Sequence, residues 1–258
     1  MITAIIPIRN DSTRLPQKAT GIELYGSGTA LDCMIERVSR SKHIQKIIFI
    51  MPDTKANDII LDELYDLNNN VSIPISAFKG SINDITGRAL KAINWSPKTT
   101  IINITADCPL VDPVMIDDMI DKYINFQSDI EPMYISNTIT RSWPDGFDIQ
   151  IYDSELLLDV YPIALGKKET TNLGWDIVNY SGMMQNSFNM INVPAPEEFW
   201  YPGWGLTLDY KEDAEVIRTI YNHFDNFDFT AEQVINYLKE NPKILKINEK
   251  CRRKLAGE

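Results

Sequence analysis

The sequence is poor in the residues that form covalent cross-links and soft metal sites. Its 258 residues include three cysteines, Cys33, Cys108 and Cys251, and two histidines, His43 and His223. Cysteines so few and so widely spaced predict neither a disulfide framework nor a zinc site. Any metal chemistry would therefore have to depend on carboxylates.

Positive charge is also scarce. The chain has 25 lysines and arginines against 36 aspartates and glutamates, which gives a formal net charge of −11. Nucleic acids and anionic membranes bind basic surfaces, so this balance argues against both as partners. Because salt screens charges beyond about 8 Å, a few local cations can still bind a small phosphate ligand.

Long apolar runs are missing as well. No stretch approaches the roughly 18 apolar residues of a membrane span, and Met1–Ile8 has no cationic leader. We therefore expect no signal peptide, no membrane segment and a cytoplasmic location. The hydrophobic fraction of 44% is sufficient for a large buried core.

Strand-like and helix-like segments alternate in the first half of the chain. The predicted strands are Thr3–Ile8, Lys46–Met51, Ile73–Phe78 and Thr100–Ile104. The predicted helices are Ala30–Ser41, Ala56–Leu67, Ile82–Ile93 and Pro113–Ile124. This alternation predicts an α/β fold with a parallel sheet between helices. The ligand crevice of such a sheet lies at the carboxyl ends of its strands.

The alternation becomes irregular after about residue 125. The predicted strands there are Pro132–Asn137, Phe147–Tyr152, Met190–Val193 and Leu206–Asp209, and the predicted helices are Ser154–Leu165, Lys211–Phe224 and Thr230–Lys239. No linker, repeat or low-complexity segment divides the chain. We expect one domain over residues 1–258, with a half at 1–125 and an elaborated half at 126–258.

A loop with three cations and no glycine follows the first predicted strand. It contains Arg9, Arg14 and Lys18, together with Asn10 and Ser12, which tolerate tight turns. Arginine presents paired donors that match phosphate oxygens, and lysine adds a mobile charge. The loop therefore predicts a triphosphate site. The alternative is a solvated loop with ordinary surface cations.

A carboxylate stands at the end of the fourth predicted strand. Asp107 follows that strand and precedes Cys108 and Pro109. Mg²⁺ binds one or two carboxylates together with phosphate oxygens and water, so Asp107 is a candidate metal ligand. Cys108 is interpreted as a packed thiol, and Asp112 as the N-cap of the helix that begins at Pro113.

The segment after the third predicted strand combines a turn with the start of a helix. Gly80 permits a tight turn and Ser81 is a candidate N-cap. Backbone N–H groups there could bind a base or ribose. Asp84 and Arg88 lie one helical turn apart, which fits either ligand contacts or an ion pair.

A turn-rich segment in the second half carries candidate acceptor-binding residues. Arg141 could bind a carboxylate or phosphate through two hydrogen bonds, and Trp143 could stack on a sugar face. The alternative is a turn covered by an aromatic side chain. Asp209 ends an apolar alternation and precedes Glu212 and Asp213. By itself, Asp209 could also be a helix N-cap.

Taken in order, these segments resemble the SpsF-like cytidylyltransferases, whose nearest cousins are the CMP-Kdo synthetases. The matching strings are IPIRNDSTRLPQK, KGSINDITGR, the Asp107-Cys108-Pro109-Leu110 motif and WGLTLDYKED. The resemblance implies the nucleotide-diphospho-sugar transferase (GT-A-like) fold, frequently as a homodimer. It also implies Mg²⁺-dependent transfer of CMP from CTP to a sugar acid or related small acidic acceptor, with release of pyrophosphate.

The resemblance also implies a role for each site residue. The catalytic residues would be Arg9, Lys18, Asp107 and Asp209, of which Asp107 and Asp209 would bind the metal. The nucleotide would contact Pro7, Arg9, Asn10, Ser12, Arg14, Lys18, Gly80, Ser81, Asp84, Arg88 and Asp107. The acceptor would contact Asn137, Arg141, Trp143, Asp145 and Asp148.

The sequence departs from the family pattern on the acceptor side. SpsF-like sequences carry a Glu-His-Val-Thr element where this chain has Lys167–Trp175, a segment without histidine. The identity of the acceptor therefore stays open. A GT-A glycosyltransferase is the main alternative, although Asp107-Cys108-Pro109 is not its usual Asp-x-Asp motif. A non-catalytic nucleotide-binding regulator is the third possibility.

Overall fold

Six of the seven strands in the central sheet run in the same direction. The computed structural model describes residues 1–67, 71–126, 132–167, 173–184 and 188–252. The strands in chain order are β1 (Ile2–Pro7), β2 (Glu23–Tyr25), β3 (Gly28–Thr29), β4 (Lys46–Pro52), β5 (Ile75–Gly80), β6 (Thr100–Asn103), β7 (Met133–Ser136), β8 (Gln150–Asp153) and β9 (Asn189–Asn192). The sheet order is β5-β4-β1-β6-β8-β7-β9, and β8 is antiparallel to both of its neighbours. Strands β2 and β3 form a separate hairpin.

Helices cover both faces of the sheet. They are α1 (Ala30–Val38), α2 (Asp58–Leu67), α3 (Ile85–Ala92), α4 (Pro113–Phe126), α5 (Ser154–Lys167), α6 (Trp175–Tyr180), α7 (Lys211–Phe224) and α8 (Ala231–Glu240). One core contains side chains of α1, α2, α4, α7 and α8, and the other contains those of α3, α5 and α6. Successive residues of β1 alternate between these cores, with Ala4 and Ile6 in the first and Ile5 in the second. This double burial explains why the strand is apolar at every position except Thr3.

The predicted α/β architecture is confirmed. The four strands and four helices predicted before residue 125 all form, with ends that differ by a few residues. The Asp112 carboxylate accepts a hydrogen bond from Val114 N at 2.8 Å, which confirms its predicted role as a cap of α4. Strand β6 of the first half pairs with β8 of the second, so both halves contribute to one sheet. None of the helices within the described ranges is long and apolar enough to cross a membrane.

One predicted strand was wrong. Leu206–Asp209 does not form a strand, and an isolated bridge joins the preceding Gly205 to Asp145. Leu206 and Leu208 are fully buried, which explains the alternation that suggested a strand. The segment instead crosses the strand ends, where Leu208 N donates to Asp107 O at 2.7 Å. Helix α6 and the β2–β3 hairpin were not predicted.

Candidate active site

The loop after β1 is held in shape by Asn10. Its side chain donates to Thr20 Oγ1 at 2.7 Å and accepts from Ala19 N at 3.2 Å. Its backbone N–H donates to Asn57 Oδ1 at 2.8 Å. Asn10 is buried, and these bonds use both ends of its amide. The Asn10 side chain therefore builds the loop, and its predicted role as a nucleotide contact is not supported by its hydrogen bonds.

A cavity of about 570 Å³ lies at the carboxyl ends of β1, β4 and β6. Seven of the predicted nucleotide-site residues line it: Pro7, Arg9, Ser12, Arg14, Lys18, Arg88 and Asp107. This position agrees with the rule that ligands of parallel sheets bind beyond the carboxyl ends of the strands. The loop is therefore not a set of scattered surface cations.

The two predicted metal aspartates converge on Lys18. The Lys18 ammonium lies 3.3 Å from Asp107 Oδ2 and 3.3 Å from Asp209 Oδ1. It also donates to the carbonyl oxygen of Leu208 at 3.3 Å. Arg14 contacts the same oxygen of Asp209 at 2.9 Å. Residues far apart in sequence thus form one charged cluster at the edge of the cavity.

The charges of this cluster stabilise each other. Burial alone would raise the pKa of Asp107, but Lys18 and a hydrogen bond from Thr105 outweigh burial and hold that pKa below its usual value. Burial would likewise lower the pKa of Lys18, but Asp107 and Asp209 raise it. Near neutral pH the Asp107 carboxylate and the Lys18 ammonium are therefore both charged.

The oxygens around Lys18 suit a hard cation. Asp107 Oδ2, Asp209 Oδ1 and Leu208 O all lie 3.3 Å from one point, the Lys18 ammonium. Carboxylate and carbonyl oxygens are ligands that Mg²⁺ accepts. No group of three or more histidine, cysteine, aspartate or glutamate residues within the described ranges could hold a metal ion. A Mg²⁺ ion bound here would therefore need oxygens from phosphate or water as well.

Asp209 is positioned by the start of α7. The Asp213 carboxylate accepts hydrogen bonds from Asp209 N at 3.0 Å and Tyr210 N at 2.9 Å. Its other oxygen accepts from Asn248 Nδ2 at 2.8 Å. Tyr210 occupies the N-cap position. The alternative reading of Asp209 as the N-cap of this helix is therefore wrong, because Asp213 supplies the capping carboxylate.

The segment between β5 and α3 differs from its prediction. Asp84, not Ser81, is the N-cap, and its carboxylate accepts from Gly87 N at 2.8 Å and from Tyr161 Oη at 3.0 Å. Arg88 donates to the carbonyl oxygen of Ser81. A Cβ on Gly80 would lie 2.8 Å from Arg88 Cγ, so glycine leaves room for this side chain. Of the four predicted nucleotide contacts in this segment, which are Gly80, Ser81, Asp84 and Arg88, only Arg88 lines the nucleotide cavity.

Two further cavities continue the cleft into the second half of the chain. A cavity of about 220 Å³ shares Pro7, Ile85 and Thr105 with the nucleotide cavity. A cavity of about 760 Å³ shares residues 138, 141 and 175 with the smaller one. The three cavities thus lie side by side, and together we call them the cleft, with the charged cluster beside its first part.

Two of the predicted acceptor residues have structural roles instead. Asn137 is 1% exposed, donates to Phe147 O at 2.7 Å and accepts from Ile149 N at 2.9 Å. It therefore joins β7 to the segment that precedes β8. Trp143 is 7% exposed, stacks on Phe199 and lines a different cavity, near α4 and β9. Neither side chain lines the cleft, because both pack inside the fold.

Arg141 does line the cleft, but carboxylates already bind it. Its two terminal nitrogens contact the two carboxylate oxygens of Asp148 at 2.7 and 2.6 Å. Asp145 lies 3.4 Å away. Burial alone would lower the pKa of Arg141, but Asp148 raises it, so the guanidinium stays charged. The predicted carboxylate clamp is thus an internal ion pair.

Sequence reasoning missed the aromatic residues of the cleft. Trp175 and Trp204 line its larger cavity, which six residues between 242 and 251 also border. Tyr201 and Trp204 stack with ring centroids 4.1 Å apart. Trp175 follows the glycine at 174, which has a φ of 76°, a conformation that favours glycine. This Gly-Trp pair was the signal in the sequence that could have indicated an aromatic residue in the cleft. Residues 168–172, part of the segment that departs from the family pattern, fall outside the described residues.

Comparisons with known proteins agree on one family. The family model described as cytidylyltransferase matches residues 3–160. The spore coat polysaccharide biosynthesis protein SpsF of Bacillus subtilis is 31% identical over 247 residues, covering 93% of this chain and 95% of the relative. A solved cytidylyltransferase structure from Leptospira borgpetersenii has a TM-score of 0.79 at 25% identity and covers 98% of both chains.

A more distant structure shares the fold. The CMP:2-keto-3-deoxy-manno-octonic acid synthetase complexed with CTP has a TM-score of 0.54 at 12% identity, covering 86% of this chain and 99% of that structure. At this identity the likeness concerns the fold alone. The predicted nucleotidyltransferase fold is confirmed by these neighbours.

Proposed function

The chain belongs to the cytidylyltransferase family, and we propose that it transfers the CMP moiety of CTP to a small sugar-like acceptor with release of pyrophosphate. The observation that carries this proposal is the convergence of Asp107 and Asp209 beside a cavity lined by cations. A triphosphate needs those cations, and the adjacent cavities of the cleft offer an acceptor a place next to it.

Arg9, Arg14 and Lys18 would bind the triphosphate. Lys18 would turn from the aspartates to the phosphate oxygens, a short movement for a flexible side chain. Asp107 and Asp209 would hold Mg²⁺, which when bound neutralises phosphate charge and polarises the phosphorus–oxygen bonds. Pro7 and Thr105 line both the nucleotide cavity and the next one. We therefore place the reacting α-phosphate near them.

The transfer is an in-line displacement at the α-phosphorus. An acceptor hydroxyl forms the new P–O bond, the bond to the bridging oxygen of the β-phosphate breaks, and pyrophosphate leaves with that electron pair. The hydroxyl proton passes to water. The residues contribute alignment and charge neutralisation. The resemblance implies a sugar acid, but Arg141, the expected carboxylate clamp, already binds Asp148. The proposal therefore extends only to a sugar-like acceptor.

The test is a screen for nucleotide-dependent release of pyrophosphate. CTP with Mg²⁺ and a mixture of sugar acceptors should release pyrophosphate faster than ATP, GTP or UTP. Asp107→Asn and Asp209→Asn should each lower the rate by about 10²-fold or more, because each removes a charge at the reacting phosphates. Consumption of a nucleotide sugar without pyrophosphate release would instead indicate a glycosyltransferase.

Asp228→Asn is the matched control for these variants. Asp228 makes an ion pair with Arg40 at 2.8 Å, and its side chain is 74% exposed. The substitution makes the same chemical change on the protein surface, away from the cleft, so we expect the wild-type rate. Equal losses in all three variants would contradict a specific role for Asp107 and Asp209. Homodimer assembly remains a prediction, which light scattering can test.

A further inference from the structure

The Lys18 side chain lies between the two aspartates of the charged cluster. Its ammonium is 3.3 Å from Asp107 Oδ2, from Asp209 Oδ1 and from the carbonyl oxygen of Leu208. The side chain is 13% exposed, so the surrounding protein encloses it. Three oxygens from separate residues thus surround one cationic atom. Two of them belong to the carboxylates that the proposed function assigns to Mg²⁺, and the inference rests on that assignment.

The cluster already pairs each carboxylate with a cation of the chain. Arg14 contacts the same oxygen of Asp209 that Lys18 contacts, at 2.9 Å. Two acidic and two basic side chains therefore face each other. A divalent cation on the same carboxylate oxygens would lie close to the ammonium, and two positive charges at such a distance repel each other strongly in a partly buried site. The ammonium and the metal ion therefore compete for one position.

A bound triphosphate would shift this competition. Lys18 also lines the nucleotide cavity, as do Arg9, Ser12 and Arg14. Phosphate oxygens in that cavity attract the ammonium, and the flexible lysine stem allows it to turn towards them. We propose that Lys18 occupies the metal position in the free protein, and that the nucleotide opens this position by drawing the ammonium onto its phosphates. The free protein therefore binds divalent cations weakly, and nucleotide and metal bind cooperatively.

This coupling acts in both directions, because linkage between two ligands is reciprocal. The aspartates hold Lys18 back from the phosphates, and a metal ion on the aspartates releases it. Neutralising Asp107 should release Lys18 in the same way. Without metal, Asp107→Asn should therefore strengthen CTP binding, although the same substitution lowers the stabilisation by CTP when Mg²⁺ is present.

Mn²⁺ binding to the nucleotide-free protein tests the first part of the proposal. Mn²⁺ accepts the same oxygen ligands as Mg²⁺, and electron paramagnetic resonance measures its free concentration during a titration. Lys18→Met removes the ammonium and keeps an unbranched side chain. Its affinity for Mn²⁺ should exceed that of the wild type by about tenfold or more, the usual size of a charged hydrogen bond. Lys18→Gln, a second neutral variant, should show the same gain.

Lys42→Met is the matched control for net charge. Lys42 is exposed and lies between α1 and β4, before the amino end of β4, whereas the nucleotide cavity lies at the carboxyl ends of the strands. It should bind Mn²⁺ as the wild type does. Adding Asp209→Asn to Lys18→Met should abolish the gain. Wild-type affinity in both Lys18 variants, an equal gain in Lys42→Met, or a gain that survives Asp209→Asn overturns the proposal.

CTP binding in the presence of EDTA tests the second part through a double-mutant cycle. Phosphorus NMR titrations, which reach weak affinities, give the Kd of metal-free CTP. Asp107→Asn should lower this Kd in the wild-type background. The gain should be smaller by about threefold or more in the Lys18→Met background, where no ammonium is left to release. Equal gains in both backgrounds would mean that loss of charge alone strengthens binding, and this result, like the absence of any gain, overturns the proposal.

Calorimetry with CTP and Mg²⁺ separates this inference from the proposed function. A wild-type protein that binds no CTP under these conditions would refute the proposed function itself. Normal CTP binding by the wild type, together with unchanged Mn²⁺ affinity in Lys18→Met and Lys18→Gln, would refute only the role of Lys18. Thermal unfolding of each variant shows that it is folded before its affinities are compared.

Discussion

Replacing Asp213 with asparagine tests how the Asp209 loop is held in place. Asp213 is fully buried, and one carboxylate oxygen accepts from the backbone N–H groups of Asp209 and Tyr210. The other oxygen accepts from Asn248 Nδ2, which also donates to Gly205 O at 2.9 Å. Asparagine has nearly the same shape but only one acceptor oxygen. If that oxygen serves the two backbone groups, the new NH₂ faces the NH₂ of Asn248.

The cost follows from these three contacts. Hydrogen bonds to a charged group are worth about 1 kcal/mol more than neutral ones, so neutralising the carboxylate weakens the two backbone contacts by about 2 kcal/mol together. The donor–donor contact with Asn248 leaves a buried donor unpaired, which costs about 1–3 kcal/mol. We therefore expect the free energy of unfolding to fall by about 3–5 kcal/mol. Misplacement of Asp209 by about 1 Å should also lower the transfer rate by about 10²-fold.

Urea denaturation followed by circular dichroism measures the stability change. Asn248→Asp serves as the compensating change, because in the double variant its carboxylate would accept from the NH₂ that Asp213→Asn introduces. At least half of the lost stability should return, although the hydrogen bond to Gly205 O is not restored. A change below about 0.5 kcal/mol in Asp213→Asn, the range of ordinary surface substitutions, would refute this account of the loop.

Three further predictions concern the nucleotide side of the cleft. CTP at about 100 times its own Kd, together with Mg²⁺, should stabilise the protein by about 2.7 kcal/mol and so raise its Tm by about 5–10 °C. Differential scanning calorimetry measures this shift in Tm, which should be smaller for Asp107→Asn. The depressed pKa of Asp107 contributes stability above about pH 4, which is lost as the pH falls through its lower folded-state pKa. Lys18→Met removes the main partner of the Asp107 carboxylate. Acid unfolding of this variant, monitored by fluorescence, should therefore begin at a higher pH than that of the wild type. Identical midpoints for the two proteins would contradict this prediction. Gly80→Ala places a methyl group 2.8 Å from Arg88 Cγ. It should lower the free energy of unfolding by about 1–3 kcal/mol and weaken CTP binding. The control Gly182→Ala, whose methyl group would have no neighbour within 4 Å, should change neither.

The fold of the first half was predictable because local patterns and tertiary burial agree there. The buried strands β1 and β4 are apolar except for Thr3 and Lys46, and the helices between the strands have one apolar face. The segment Leu206–Asp209 shows the limit of this reasoning. Its alternation of apolar and polar residues reflects the burial of two leucines. To form a strand, however, the backbone also needs a neighbouring strand with which to pair. Periodicity reports which side chains are buried, not whether the backbone joins a sheet.

The charged cluster was predictable for a different reason. A parallel sheet brings the loops that follow its strands to one edge, so Lys18 and Asp107 were expected on the same side of the sheet. Asp209 does not follow a strand, and only the family resemblance indicated its place. Its position depends on Asp213 and Asn248, contacts that no local pattern reveals. The roles of these residues in catalysis remain predictions.

The acceptor side was the least predictable part because side-chain direction decides it. Arg141 and Trp143 are two residues apart in one turn, yet Arg141 lines the cleft and Trp143 stacks on Phe199 inside the fold. Trp175 and Trp204 occupy the cleft from distant segments. The nucleotide side instead depends on contacts with main-chain atoms, such as those of Asn10 and Arg88.

The acceptor side and the nucleotide side of the cleft should therefore respond differently to substitution. Side chains at positions 103, 148 and 175 can be replaced without disturbing the hydrogen bonds that shape the nucleotide loop, because Asn10 makes those bonds with Thr20, Ala19 and Asn57. Substitutions such as Asp148→Asn should therefore alter which acceptor binds while CTP affinity stays within about twofold of the wild type, since sites that share no partners behave additively. A parallel loss of CTP affinity would show that the two sides of the cleft are coupled.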